Sequence, residues 1–407
     1  MARTHVLDRI TVPKPDHVPA DRVVDFDYYN HVSGDDDVHL AWKRLHDGPD
    51  IVWTPHNGGH WIFTRFEDIK AVQMDHAHFS MRNTAAPYSP LNFKPINLDP
   101  PESAPYRRLI TPHFMPKQVD RLEGVARETA IKLIEGFIAD GECDFIPAFA
   151  KILPVTIFLG LVDLPASDRA RIQPYADQVT RGTQQERANA HRQMAAYLSE
   201  KLDERIDNPG NDLFGQIIKS EVNGAPITRE DLMSVCLLLL FGGLDTVASM
   251  LGFIARFLAM HPDHRRQLVE RIDDVPFIRH AVEELIRRHG VANTSRLVTM
   301  DYEYKGVLLL EGDIVQAPNP FAGLDDRVVP DPLTVDFSRK FPIPHAAFGN
   351  GPHTCPGAVL ARREIEVFLQ EWLRRIPDFE MAGPARMASG AVNGVESLPL
   401  RWPSRRD

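Results

Sequence analysis

Phe348-Gly-Asn-Gly-Pro-His-Thr-Cys-Pro-Gly357 is the stretch whose residue types and spacing could do chemistry. Gly349 and Gly351 open backbone conformations closed to other residues, so amides can turn toward the Cys355 sulfur. An apolar periodic segment follows, which puts Cys355 at a helix N-terminus, where positive potential favours thiolate over thiol. Gly357, lacking a side chain, lets something large and flat lie against the helix start. Such a thiolate serves as a metal ligand or an activated nucleophile; a cysteine buried in a glycine-rich turn is the plainer alternative. A second stretch, Leu240-Phe-Gly-Gly-Leu-Asp-Thr-Val247, puts two glycines inside a helix at about 1 kcal/mol each against alanine, a cost that something must offset. Gly242 and Thr246 share a face there, which suits either a close helix contact with Thr246 satisfying a backbone carbonyl, or a groove with a hydroxyl beside it. Glu284 and Arg287 in Glu283-Glu-Leu-Ile-Arg-Arg288 read by themselves as a surface ion pair. Asp99-Pro-Pro-Glu-Ser-Ala-Pro-Tyr-Arg-Arg-Leu109 and Arg296 add cations that alone would be surface charges.

Together these stretches resemble the cytochrome P-450 family. Phe348, Gly351, His353, Cys355 and Gly357 match every defined position of its haem-binding signature, Phe-x-x-Gly-x-His/Arg-x-Cys-x-Gly. The resemblance implies haem b, with Cys355 as the proximal thiolate ligand of its iron. Phe348, Gly349 and Gly357 would lie around it, and His353 would pair with a propionate. No Cys-x-x-Cys-His occurs, so no covalent thioether is expected. Gly242, Gly243, Asp245 and Thr246 match the family's Ala/Gly-Gly-x-Asp/Glu-Thr motif, where a kink opens a groove for dioxygen and the acid and Thr manage proton delivery. Glu284 and Arg287 match its structural Glu-x-x-Arg pair, with Arg339 the first choice for the third partner and Arg327 the second. Arg107 and Arg296 match propionate partners, while Ser103 stands where many members carry a histidine.

Phrases such as Asn57-Gly-Gly-His-Trp-Ile62 and Arg375-Ile-Pro-Asp-Phe379 are similar to the bacterial class I camphor-hydroxylase-like subfamily, in which a residue matching Arg181 pairs with the helix acid. Leu91 stands where the camphor enzymes carry a tyrosine, so the hydroxyl that would orient a ketone is missing. The implied pocket is Tyr88, Leu91, Leu238, Phe241, Gly242, Ala292, Thr294 and Val392, mostly apolar, and it suits a small terpenoid or norisoprenoid held by shape. No Gly-x-Gly-x-x-Gly follows a strand and no length remains for a flavin domain, so electrons come from partners. The class I resemblance implies a [2Fe–2S] ferredoxin and its NADH-dependent ferredoxin reductase. A basic docking patch would draw on Arg107, Arg108, Lys340, Arg362 and Arg363. The competing functions are a peroxide-driven haem-thiolate peroxygenase, a haem sensor or carrier and, more distantly, a cysteine hydrolase, which lacks a His/Asn arrangement.

The elements that must position these residues are mainly helical. Apolar spacing marks helices from about 103 to 290, with a broad stripe over Leu122, Val125, Ala126, Thr129, Ile131, Leu133 and Ile134. One long helix runs from a capping start at Thr228 to Met260, roughly 45–50 Å, apolar all round between Val235 and Leu244. Asp301–Gly306 and Val307–Val315 read as a hairpin, and a last helix carries Ile365, Phe368, Leu369 and Trp372 up to Pro377. The expected fold is mainly α: a cytochrome P-450 fold over residues 1–407 as one haem domain. Its large helical part meets a small β-rich region, with haem between the long central helix and the cysteine loop. With 46 basic and 56 acidic residues the net charge is −10, which disfavours nucleic acid. Three widely spaced cysteines argue against disulfides. The N-terminus shows no apolar leader, and the run Val235–Leu244 is half a membrane span, so a cytoplasmic protein outside the membrane is expected. His56/His60 and His76/His78 have ligand-like spacing without further support and read as loop histidines.

Overall fold

The structure, a computed structural model, describes residues 10–30, 37–89 and 92–403. Its helices, in chain order, are α1 (Val38–Lys43), α2 (Phe66–Met74), α3 (Ala104–Ile110), α4 (Pro116–Phe137) and α5 (Leu153–Leu161). Next come α6 (Arg169–Arg181), α7 (Gln184–Asp203), α8 (Leu213–Ile218), α9 (Arg229–Leu244) and α10 (Thr246–Met260). The last are α11 (Pro262–Glu270), α12 (Val275–Arg288), α13 (Asn319–Ala322) and α14 (Ala358–Arg375). One large apolar cluster joins α4, α5, α9, α10, α12 and α14. A second lies under a five-stranded sheet. The sheet runs in the order Ile51–Thr54, His60–Phe63, Ile314–Pro318, Asn293–Val298 and Phe79–Ser80. All its neighbours are antiparallel except His60–Phe63 against Ile314–Pro318.

Three readings of the elements change. The helix expected from Thr228 to Met260 is two helices, α9 and α10, broken at Asp245, whose φ of −125° and ψ of −34° leave the helical region. Its capping start holds in half: Thr228 accepts from the Asp231 N–H at 3.1 Å. The Asp231 carboxylate turns instead to Tyr106 and Lys94. The expected hairpin splits, because Tyr302–Tyr304 pairs only with Val307–Leu309 while Ile314–Pro318 joins the sheet. Gly312, at φ +92°, makes the turn between the two segments. On α4 the buried stripe is Val119, Ala126, Ala130 and Ile134, one residue per turn or two; Val125 is 48% exposed.

The segment 229–260 is long and apolar enough to cross a membrane, but 72% of its most apolar window is buried inside the protein. Among the described residues no group of three metal-ligating side chains occurs. His56 bonds Asp25 at 2.5 Å, His78 bonds Asp75 at 2.7 Å, and His60 opens a buried strand instead of lying in a loop.

Candidate active site

The cysteine loop is built by short backbone ties. Gly349 N–H donates to Ala346 O at 2.8 Å, Cys355 N–H to Phe348 O at 2.9 Å and Thr354 N–H to Gly351 O at 3.1 Å. Gly349 and Gly351 both sit at φ +70°, and at 351 a β-carbon would lie 2.7 Å from Met74 Sδ. The second glycine is therefore needed twice, for its dihedral and for the close pass of α2. Of the amides expected to face the sulfur, only that of Gly357, the N-cap of α14, bonds it. Atoms packed around the loop push the Cys355 thiol up, and the Gly357 amide with the Arg107 and Arg362 charges pulls it back only in part, although the residue is exposed on its open side. Arg362 caps the Phe348 ring at 4.4 Å.

Two arginines without matching carboxylates and one neutral histidine stand around this loop. Arg296 is buried in the inner strand Asn293–Val298, opposite Val315, and donates from Nη1 to Ser295 O at 2.8 Å. Burial lowers it to about 10, only partly offset by the Asp99 charge. His353 is lowered to about 4 by burial and then by the Arg296 charge, and its buried Nε2 has no hydrogen-bond partner. Arg107 donates to Thr354 O at 2.6 Å and is lowered by burial, with Cys355 pulling the other way. The carboxylate of Asp99 is committed elsewhere, accepting from Ser80 Oγ and from the Met81 N–H at 2.9 Å. Ser103 is buried at the N-cap of α3 and makes no side-chain cap bond. A dianionic edge would pair with both arginines and with the orphaned His353 Nε2 together.

Opposite in role is the break between α9 and α10. Thr246 Oγ1 donates to Gly242 O at 3.0 Å, withdrawing that carbonyl from the helix ladder. Asp245 is fully buried, bonded through Oδ1 to Arg181 Nη1 at 2.8 Å, while its Oδ2 has no partner. Arg181 also donates to Ser249 Oγ at 2.7 Å, so the end of α6 is tied to both sides of the break. The paired glycines have different jobs. A β-carbon on Gly242 meets nothing within 4 Å, leaving an open cradle; one on Gly243 would strike the Phe158 ring of α5 at 2.5 Å. Only Gly242 lines the groove, and Gly243 is a packing residue. The open cradle, the accessible Cys355 sulfur and the unmatched cations fit a flat, dianionic iron porphyrin.

The residues expected to line a pocket are brought together in part. Ala292 bridges Val392 across an isolated antiparallel pair, and Thr294 Oγ1 donates to Ala317 O at 3.5 Å. Phe241 packs edge-on to Phe93 at 5.5 Å and lies 6.4 Å from the His191 ring of α7. Leu238, three residues before Phe241 on α9, is half-buried. Tyr88 is 59% exposed and does not close the lining, and Leu91 lies outside the described residues. Phe93 and His191 are additions that sequence reading missed. Phe93 was within reach, two residues after Leu91; nothing local marks a half-buried histidine on an otherwise polar helix.

Glu284 and Arg287 are fully buried, bonded at 2.7 and 2.8 Å, and Arg339 Nε reaches Glu284 at 3.1 Å. Arg287 also donates to the carbonyls of Gly323, Pro332 and Thr334. Arg327 bonds Asp50 instead. The pair that alone resembled a surface ion bridge is thus a buried clasp between α12 and the meander.

A family model described as Cytochrome P450 matches residues 144–381. Probable cytochrome P450 127A1 of Sinorhizobium fredii (strain NBRC 101917 / NGR234) is 32% identical over 96% of this chain and 97% of its own length. Mycinamicin IV hydroxylase/epoxidase of Micromonospora griseorubida is 30% identical over 86% of this chain and 91% of its own. The crystal structure of CYP101J2 superposes with a TM-score of 0.89 at 39% identity, covering 96% of this chain and all of that one. That of CYP101C1 gives 0.88 at 38% identity, again over 96% of this chain. With the cysteine loop, the broken helix and the matching fold in place, the chain belongs to the cytochrome P450 family, whose members are monooxygenases that hold haem b on a cysteine thiolate.

Proposed function

We propose that this protein hydroxylates a small apolar terpenoid or norisoprenoid as a single cytoplasmic haem domain. Its electrons would come from a [2Fe–2S] ferredoxin and its NADH-dependent reductase. The overall reaction is substrate-H + O₂ + two electrons + two protons to substrate-OH + water. Cys355 would supply the axial thiolate, and His353, Arg107 and Arg296 would take the propionates. Bound haem supplies the activation of dioxygen. The observation that carries the reading is the helix break, with a hydroxyl at Thr246, an open cradle at Gly242 and a buried acid at Asp245. Asp245 is tethered by one oxygen to Arg181, which leaves Oδ2 to carry a proton inward. Thr246 Oγ1 can pass that proton into the groove when it leaves Gly242 O. Phe241, Phe93, Leu238, Ala292 and Val392 would exclude water and hold the substrate by shape, with the His191 ring beside Phe93 and Phe241.

Managed proton delivery suits dioxygen and a redoxin, which favours this reading over a peroxygenase. The test uses the purified holoenzyme. Reduced and carbonyl-bound, it should show the thiolate Soret band, and Cys355→Ser should abolish it. Camphor and an ionone are then titrated while the ferric Soret band is followed. A shift with ionone supports the substrate class; a full camphor shift with none for ionone overturns it. Turnover with peroxide but none with reductase, ferredoxin and NADH would establish the peroxygenase instead.

A further inference from the structure

Phe93 lies in no helix or strand, yet its ring packs 5.5 Å from Phe241 and 5.5 Å from the His191 ring. Loop backbone is mobile by default, so a wall made by a loop side chain needs ties from outside the loop. One set closes the turn at 92–97 on itself. Asn97, 3% exposed, accepts from the Phe93 N–H through Oδ1 at 2.8 Å, and its own N–H donates to Phe93 O at 3.0 Å. Its Nδ2 donates to Met81 O at 2.9 Å, which roots the turn.

The second set comes from the first two turns of α9. Ser234 Oγ accepts from the Lys94 N–H at 2.8 Å and donates to Asn92 O at 3.4 Å. Asp231 Oδ1 pairs with Lys94 Nζ, and its Oδ2 accepts from the Tyr106 hydroxyl of α3 at 2.5 Å. Lys94 Nζ also stands 5.6 Å over the Tyr106 ring. Burial by itself would raise the Asp231 carboxyl, but the bonds from Lys94 and Tyr106 outweigh it and keep the group charged. Asp231, Ser234, Leu238 and Phe241 follow one another at three or four residues, along one face of α9. The start of that face anchors the turn, and its far end receives the Phe93 ring.

We propose that Asp231 and Ser234 are positioning residues for substrate selection. Through Lys94 they clamp the turn at 92–97 onto α9 and fix Phe93 as a wall, which sets the size of the molecule held above the iron. The inference rests on the pocket assigned above and names what determines its selectivity.

The test uses the ferric holoenzyme with two iron ligands of different length, imidazole and 4-phenylimidazole, each titrated by the Soret band. Asp231→Asn combined with Ser234→Ala should weaken 4-phenylimidazole about tenfold, through faster dissociation, and change imidazole less than about twofold. Phe93→Ala, which removes the wall itself, should lose as much selectivity, and releasing the anchors in that background should add nothing. Equal weakening of both azoles, an unchanged ratio in the double variant, or full additivity with Phe93→Ala overturns the clamp. The carbonyl-bound Soret band of the unsubstituted protein decides the haem-thiolate reading separately, and the same band in each variant shows that its fold is kept.

Discussion

Opposing effects act on Cys355: the packed loop pushes its thiol up, and the Gly357 amide with the Arg107 and Arg362 charges pulls it back. This does not disqualify it as a ligand, because a coordinated metal deprotonates a thiol outright. At the other end of the site, Asp245 and Thr246 are adjacent in the chain and bonded to different elements. Asp245→Asn keeps the shape and removes the charge that holds Arg181; kcat should fall about 10²-fold while substrate affinity stays the same. Thr246→Ala should leave the carbonyl-bound Soret band intact and divert electrons to peroxide. The ratio of product to NADH consumed measures both effects. An unchanged ratio and rate in both variants would remove these residues from proton delivery. The pairing of Arg181 with Asp245 and the choice of Arg339 over Arg327 followed from the family resemblance. The partnerless Asp245 Oδ2 was not, because it depends on what surrounds it.

Among the elements, α9 and α10 show how one apolar run becomes two helices. Local propensity favours continuation, but Thr246 takes the Gly242 carbonyl and Arg181 of α6 takes Asp245. The two glycines then separate by experiment. Gly243→Ala must push Phe158 and α5 away and should cost about 1–3 kcal/mol in chemical denaturation. Gly242→Ala meets no atom, so stability should hold while the groove narrows and ligand binding at the iron weakens. The reverse pattern would mean that the groove face has been misassigned.

The contact between α12 and α14 adds a pH dependence. Burial by itself would raise Glu283, but hydrogen bonds from His345 and Arg362 outweigh it and hold it at about 2. A carboxylate lowered in the folded state stabilises above its ordinary value of 4.5, and that contribution is lost as pH falls toward 2. The stability at stake is about 3 kcal/mol. Glu283→Gln should therefore lower the neutral-pH stability and flatten the acid limb of a pH series; a parallel downward shift at every pH would reject the linkage.

Over the whole molecule, charge and docking are decided by which cations remain free. Arg362 is tied to Glu283, and Arg363 to Glu123 and Asp120. The five-residue patch expected from sequence therefore shrinks: Arg108 and Lys340 are exposed, and among the described residues neither has an ion-pair partner. Reversing both, Arg108→Glu with Lys340→Glu, should raise the KM for ferredoxin about tenfold or more at low salt, less as salt screens the contact. Arg363→Ala should lower Tm and leave that KM alone. A KM effect in Arg363→Ala equal to that of the double reversal would restore the larger patch.

What the sequence determined by itself is a set of short motifs. Cys355, His353, Gly242, Asp245, Thr246, Glu284 and Arg287 lie in them, and it is their resemblance to the family that names these residues as the expected carriers of the chemistry. Apolar periodicity at helical spacing pointed to a largely α molecule. Only the tertiary structure decided that the central helix breaks fully at Asp245, that Gly243 serves packing, and that α12 and α4 consume two of the expected docking cations. The physical reason is range. A motif encodes its own backbone, whereas burial, ion-pair choice and the partner of a buried atom are set by residues hundreds of positions away.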